Sequence, residues 1–267
     1  MSDSNEKHKW YLDDARLRQL LTWITGKISS SIPTMTEFTK EEIEVLWNNR
    51  LSGTVTPGTS SFSFRINGYS SVNGRIITVT PDSAGNWSWD NVEGYEITST
   101  TYMFYNCTNL TSLDVSGFDT SSVTNMFSMF RGCTELTSLD VSSFDTSSAT
   151  SMNSMFYSCP NLTSLDVSSF DTSSVIDMNS MFSDCTRLTS LDVSSFDTSS
   201  VVYMVGMFLG CTGLTSLDLT SWYTKKVTTY YSSFVDNVNT LTINYKSVNW
   251  NSDIPTSFAN VHWIDVA

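Results

Sequence analysis

The 267-residue chain has only two histidines, His8 and His262, and neither sits in a recognisable motif. It also lacks GxSxG, HExxH, Walker A and GxGxxG patterns, so a hydrolase, a zinc protease and a nucleotide enzyme all lose their usual signatures. Positive charge is scarce. Fourteen Lys and Arg face 27 Asp and Glu, for a formal charge of −13, which excludes nucleic-acid binding by phosphate neutralisation. No run approaches 18 consecutive apolar residues, so no transmembrane helix is expected. The N-terminal MSDSNEKHKWYLDDARL has no apolar h-region and no lipobox-like cysteine, so no secretory signal is expected.

Cysteine is absent everywhere except at positions 107, 133, 159, 185 and 211, each 26 residues from the next. A fixed period of this length marks a chain in which each repeat is one turn of a stacked coil. The surroundings repeat as well. Residues 103–128 read MFYNCTNLTSLDVSGFDTSSVTNMFS and 129–154 read MFRGCTELTSLDVSSFDTSSATSMNS. The fifth copy begins MFLGCTGLTSLDLTS and decays into WYTKKVTTYYS, as terminal repeats facing water do. An odd number of cysteines in a single register argues against a disulfide framework. With no histidine or CxxC pair beside them, zinc is not expected. Five reduced, buried thiols are expected, with no cofactor and no metal.

Each repeat mixes two periodicities. In LTSLDVS, Leu113 and Val115 alternate with Ser112, Asp114 and Ser116, the pattern of a strand with one buried face. In SSVTNMFSMFRGC, Val123, Met126, Met129, Phe130 and Cys133 recur at spacings of three and four, which predicts a short helix or helical turns. FDTSS between them is turn chemistry, with Asp119 placed to cap the helical segment. The expected fold class is an α/β solenoid, a right-handed coil with a parallel sheet on one side and helical turns on the other. One such repeat buries too little apolar surface to stand alone, so stability is collective.

The pattern L-T-S-L-D-V-S-x-F-D-T-S-x-V-x-x-M-x-x-M-F-x-x-C, over about 103–220, resembles the BspA-type leucine-rich repeat of bacterial surface proteins and mycoplasma lipoproteins. That resemblance implies a curved solenoid used for adhesion or binding, with no catalytic machinery.

Two aspartate rows follow from the register. One is Asp119, Asp145, Asp171 and Asp197, in the turn, where a carboxylate can accept backbone N–H groups. The other, on the outward side of the strands, is Asp114, Asp140, Asp166, Asp192 and Asp218. Like charges about 5 Å apart repel by about 1 kcal/mol even in water. Flanking hydroxyls and solvent cations offset this on a merely solvated face. A binding face is the equal alternative, and its candidates are Ser112, Asp114 and Ser116 with their equivalents. These are Ser138, Asp140 and Ser142, then Ser164, Asp166 and Ser168, then Ser190, Asp192 and Ser194, and finally Asp218. A calcium ladder lacks the Gly-rich, multi-Asp loops it would need.

Residues 1–50 differ in kind. Leu17, Leu20, Leu21, Ile24 and Ile28 make one apolar stripe after a capping Asp13 or Asp14. Thr39 and Glu42 form a capping box ahead of Ile43, Val45, Leu46 and Trp47. These helices are expected to pack on a neighbour, to self-associate, or to anchor the chain. Residues 51–92 read as short strands broken by Pro, Gly and Asn, and VTPDSAGNWSWD is similar to the closing strands of bacterial immunoglobulin-like modules. This segment is either such a module or the first cap of the repeats, with residues 93–232 the five coils and 233–267 the far cap. The expectation for function is a non-enzymatic structural and binding protein. A bacteriophage virion fibre or decoration protein is the first reading, because virion display needs no export signal. Residues 1–50 would join it to assembly proteins, and the repeats would meet a host surface protein or glycan. A bacterial cell-surface adhesin is the alternative.

Overall fold

The computed structural model describes residues 50–68, 74–90, 97–228, 234–252, 256 and 259–266. The expected N-terminal helices, with Leu17, Leu20, Leu21, Ile24, Ile28 and Trp47, lie outside the described residues. Residues 50–89 and 97–266 belong to one compact unit.

Ten short strands occur among the described residues. They are β1 (Arg50–Val55), β2 (Phe62–Ile66), β3 (Arg75–Val79), β4 (Asn86–Asp90), β5 (Leu110–Asp114), β6 (Ser138–Asp140), β7 (Ser164–Asp166), β8 (Ser216–Asp218), β9 (Leu241–Tyr245) and β10 (Val261–Asp265). They form four small sheets, ordered β4-β1-β5, β10-β9-β8, β2-β3 and β6-β7. A single 3-10 turn at Ser247–Asn249 is the only helical element among the described residues. The expected α/β solenoid is therefore overturned. No helix follows FDTSS in any described repeat, no continuous parallel sheet runs down the strand side, and Ser190–Asp192 pair as no strand at all.

The missing helices have a hydrogen-bond explanation. A helix needs each amide to bond back four residues along its own chain. Here the amides alternate. Ser128, Phe130 and Gly132 donate to Asn153, Met155 and Tyr157 of the next repeat, at 2.9 Å each. Met129, Arg131 and Cys133, between them, donate three residues back along the chain, within the same tight turns, at 3.2–3.3 Å. This alternation sets two residues per repeat in the left-handed region, for example Ser128 (φ 55°) at the end of the first and Gly132 (φ 76°) near the start of the second. The first of these rows reads Tyr102, Ser128, Ser154, Ser180, Gly206 and the second Asn106, Gly132, Ser158, Asp184, Gly210. Gly adopts that conformation freely and Asn and Asp favour it, whereas Ser and Tyr102 hold it at a cost of about 1–3 kcal/mol. At Gly132 a Cβ would sit 2.2 Å from Oδ1 of Asn106 in the repeat before, so any larger residue there would have to push that side chain aside.

The three- and four-residue spacing still marks burial, because each tight turn returns its side chain inward. Met126, Met129, Phe130 and Cys133 are all fully buried. Phe104, Phe130, Phe156, Phe182 and Phe208 stack at successive centroid distances of 5.7, 5.5, 5.8 and 5.8 Å, within 11° of parallel. Isolated parallel bridges link Ser99, Asn125, Ser151, Asp177 and Tyr203 in the same order.

Two further rows fasten neighbouring repeats. The Thr120, Thr146, Thr172 and Thr198 hydroxyls donate to main-chain oxygens of Asp145, Asp171, Asp197 and Tyr223, at 2.8–3.1 Å. The thiols of Cys133, Cys159, Cys185 and Cys211 donate to the carbonyls of Phe104, Phe130, Phe156 and Phe182, at 3.0–3.2 Å. All five cysteines are buried free thiols. Burial pushes the Cys107, Cys159 and Cys211 thiols up to about 12, and those of Cys133 and Cys185 well above the ordinary value too.

At the start of the stack, β2 takes the place a preceding repeat would occupy. The Arg65 amide donates to Met103, the Cys107 thiol to Ser63, and Phe64 packs 5.3 Å from Phe104. On the strand side β1 runs antiparallel to β5, with Ser52 opposite Asp114 and Thr54 opposite Ser112. At the far end Trp250 packs against Phe234, Tyr245 and Trp263. Ile264 and Val266 are exposed there.

Candidate binding face

In LTSLDVS the central Leu of each repeat points into the core and leaves its two neighbours outside. Leu113, Leu139, Leu165, Leu191 and Leu217 are buried, while Asp114, Asp140, Asp166, Asp192 and Asp218 are exposed. Every serine candidate is exposed as well: Ser112, Ser116, Ser138, Ser142, Ser164, Ser168, Ser190 and Ser194. The structure thus brings all the candidates onto one side of the stack. It does so through three separate strand pairings rather than one sheet. β6 and β7 are parallel with Asp140 opposite Asp166, β8 is parallel to β9 with Asp218 opposite Asn244, and β5 is covered by β1.

Each aspartate holds a turn. Asp114 Oδ1 accepts the Ser116 amide at 2.9 Å and its hydroxyl at 2.6 Å. Asp140, Asp166 and Asp192 accept the amides of Ser142, Ser168 and Ser194 at 2.9 Å, and Asp218 that of Thr220 at 3.0 Å. This self-bonding two residues on is the Asx turn, which ends the strand. The hydroxyls of Ser142, Ser168 and Ser194 hold the Asp140, Asp166 and Asp192 carboxyls below the ordinary carboxylate value, with the serine amides adding to the effect. Burial, though slight, opposes this for all three, as do the neighbouring carboxylates Asp166 and Asp114 at Asp140 and Asp192 at Asp166. The repulsion expected from the register is therefore present and outweighed.

The second row repeats this chemistry. Asp119, Asp145 and Asp171 accept from amide and hydroxyl of Ser121, Ser147 and Ser173, at 3.0 and 2.6–2.7 Å. Asp119 closes a turn where a helix cap was expected.

The consequence for recognition is specific. The Ser116, Ser142, Ser168 and Ser194 hydroxyls bond to carboxylates of their own repeats, so with the five exposed aspartates the outward surface is rich in acceptors. Such a face suits donor-rich or cationic groups. At its N-terminal edge, Ser52 and Thr54 hydrogen-bond to Asp114 and Ser112 and flank a shallow hollow of about 500 Å³ that Asn86 also lines. Gly53 allows that approach, since a Cβ would meet the Ser112 carbonyl at 2.2 Å. Among the described residues no group of three or more His, Cys, Asp and Glu is placed to hold a metal ion. No helix among them is long and apolar enough to cross a membrane.

Two features escaped the sequence reading. The threonine of DTSS is buried and fastens adjacent repeats; its presence in all five copies was the available signal. An aromatic cluster around Arg131 breaks the repeat pattern, and its signal was that deviation.

No curated protein and no solved structure matches the chain. One family does, described as Mycoplasma protein of unknown function, DUF285, over residues 79–188 and again over 158–262. The two overlapping matches take in all five repeats and more than half of the sequence, and the chain belongs to this family of mycoplasma repeat proteins.

Proposed function

We propose that the protein is a non-enzymatic binding protein displayed on a bacterial cell surface, an adhesin of the BspA-type leucine-rich-repeat kind. The observation that carries this reading is the exposed, acceptor-rich Ser–Asp face, repeated in register over the five repeats. Extended repeat surfaces serve as binding faces because every repeat adds the same contact again. Membership in a mycoplasma family favours a cell surface over a virion as the place of display. Residues 1–50 are the proposed anchor to surface assembly proteins or to further copies of the chain. The formal charge of −13 argues against nucleic acid as a partner.

Purified full-length protein applied to an array of host extracellular proteins and glycans tests the reading. Binding that is weakened at least tenfold by the combined change Asp140→Asn, Asp166→Asn and Asp192→Asn is expected. Glycan cleavage lost on Asp166→Asn alone would overturn the non-enzymatic assignment. Deleting residues 1–50 should release the protein from the surface of the cells that make it; retention there would sink the anchor role.

A further inference from the structure

We propose that the turn side of the first three repeats carries a second binding site, for a protein partner presenting one apolar side chain next to a carboxylate. The site is separate from the Ser–Asp face and does not depend on it. Its residues are Tyr102, Tyr105, Phe127, Arg131 and Tyr157. Tyr105, Arg131 and Tyr157 occupy one row, 26 residues apart, and the Arg131 guanidinium lies 4.3 Å from the Tyr157 ring centroid and 5.9 Å from that of Tyr105. The Tyr102 ring meets Tyr105 at 5.1 Å and Phe127 at 5.0 Å, both edge-to-face.

Nothing in the stack demands these side chains. Later repeats place Ser183 and Leu209 in the Tyr105 row, and Ser, Ser, Ser and Gly in the Tyr102 row. Tyr102 nonetheless holds a left-handed backbone (φ 58°), a conformation bulky residues avoid unless the surroundings enforce it. Every repeat has a left-handed residue in this row, so the fold sets the backbone there; what departs from the later repeats is the bulky ring placed on it, beside an exposed Tyr105.

The partner's chemistry follows from two neighbouring features. A half-open cavity of about 120 Å³ is lined by Phe64, Ile76, Tyr102, Met103 and Tyr105, together with Ser63 and Arg65. A cavity of about 150 Å³ holds the six carbons of benzene, so one of about 120 Å³ has room for the four side-chain carbons of leucine. The Arg131 guanidinium lies 5.9 Å from the ring of Tyr105, which lines the cavity, and Arg131 is the only Lys or Arg in the sequence between Arg75 and Arg187. A guanidinium braced on aromatic rings is oriented for a carboxylate. Tyr and Arg around a side-chain-sized pocket are the composition of a protein-interface hot spot.

The test uses isotopically labelled full-length protein titrated with the capped peptides Gly-Gly-Leu-Asp-Gly-Gly, its Leu→Ala and Asp→Asn versions, and a sialylated oligosaccharide. The Leu-Asp peptide is expected to shift the signals of Tyr102, Tyr105 and Arg131. Both altered peptides should bind at least tenfold more weakly. Arg131→Met, which keeps the stem over Tyr157, should abolish the preference for Asp over Asn. Buried cysteines that stay inert to a thiol reagent report that a variant is folded; if Arg131→Met fails this check, Arg131→Gln replaces it. Equal binding of the Leu-Asn peptide, shifts confined to the Ser–Asp face, no shift at millimolar peptide, or shifts at the cluster produced by the oligosaccharide alone would each overturn the proposal.

Discussion

The two sides of each repeat are held together by different means. On the turn side every second amide crosses to the next repeat, phenylalanines stack, and thiols and threonines donate to neighbouring carbonyls. On the strand side the pairing is intermittent, with β6 on β7, β8 on β9, and nothing ordered as a strand at Ser190–Asp192. The side that reads as helix carries the continuous cross-repeat hydrogen bonding, and the side that reads as strand is the looser one. Stability is therefore concentrated on the turn side, which leaves the strand side free to display polar groups.

The largest effect expected from this asymmetry is alkaline unfolding. Every thiol lies on the turn side, and burial raises its folded value above the 9.0 of an exposed thiol, to about 12 for Cys159. A raised value means that the stabilisation is whole below pH 9 and is lost as pH rises through the folded value. Each thiol then contributes a loss of about 1.4 kcal/mol per pH unit. Urea unfolding measured from pH 8 to 11 should show stability falling steeply above 9. Cys159→Ala should reduce that slope by one proton, whatever it does to stability at pH 8. An unchanged slope would mean that the thiols are not sealed in the stack.

Next in size is Phe156→Ala, which removes one ring from the middle of the phenylalanine column. A loss of about 3–5 kcal/mol is expected from denaturant melts, with rows on both sides weakened because Phe130 and Phe182 each lose a stacking partner. Thr172→Val keeps the shape and removes only the bond to Asp197, so a loss of about 1 kcal/mol is expected. A loss near zero would show that the buried hydroxyl row fixes register without adding stability.

Much of this was legible in the sequence because burial is periodic. The 26-residue spacing of Cys107 to Cys211 correctly predicts which rows are buried and which aspartates face outward. The helix did not follow from it. Spacings of three and four mark an inward face, and a helix and a chain of tight turns both produce them. What separates the two is whether the amide of Phe130 bonds within its own repeat or to Met155, and no local pattern records that. The small polar residues at the left-handed positions, Ser128 with Gly132 and Ser154 with Ser158, were the one sequence sign against a helix. On the outward face, the sequence located the candidates without revealing that Ser142 and its equivalents bond to their own aspartates.

The smallest stability effect belongs to the strand side, and it is the sharpest test of the contrast. In the combined variant Asp140→Asn, Asp166→Asn and Asp192→Asn, each side-chain oxygen still accepts the serine amide two residues on, so the turns survive. Repulsion between Asp140 and Asp166 disappears, while the hydrogen bonds that favoured the charged form weaken. These opposing changes should leave the midpoint of thermal unfolding at pH 7 less altered than Thr172→Val does. The pH dependence separates them further. Carboxyls held below the ordinary value of 3.8 contribute stability above that pH and lose it as pH falls through their lowered values. The variant should therefore unfold less steeply in acid than the parent protein, with the difference confined to pH below about 4. A large destabilisation at pH 7 would show that these carboxylates hold the stack together. The strand side would then be structural, and its claim to be a binding face would fall with that result.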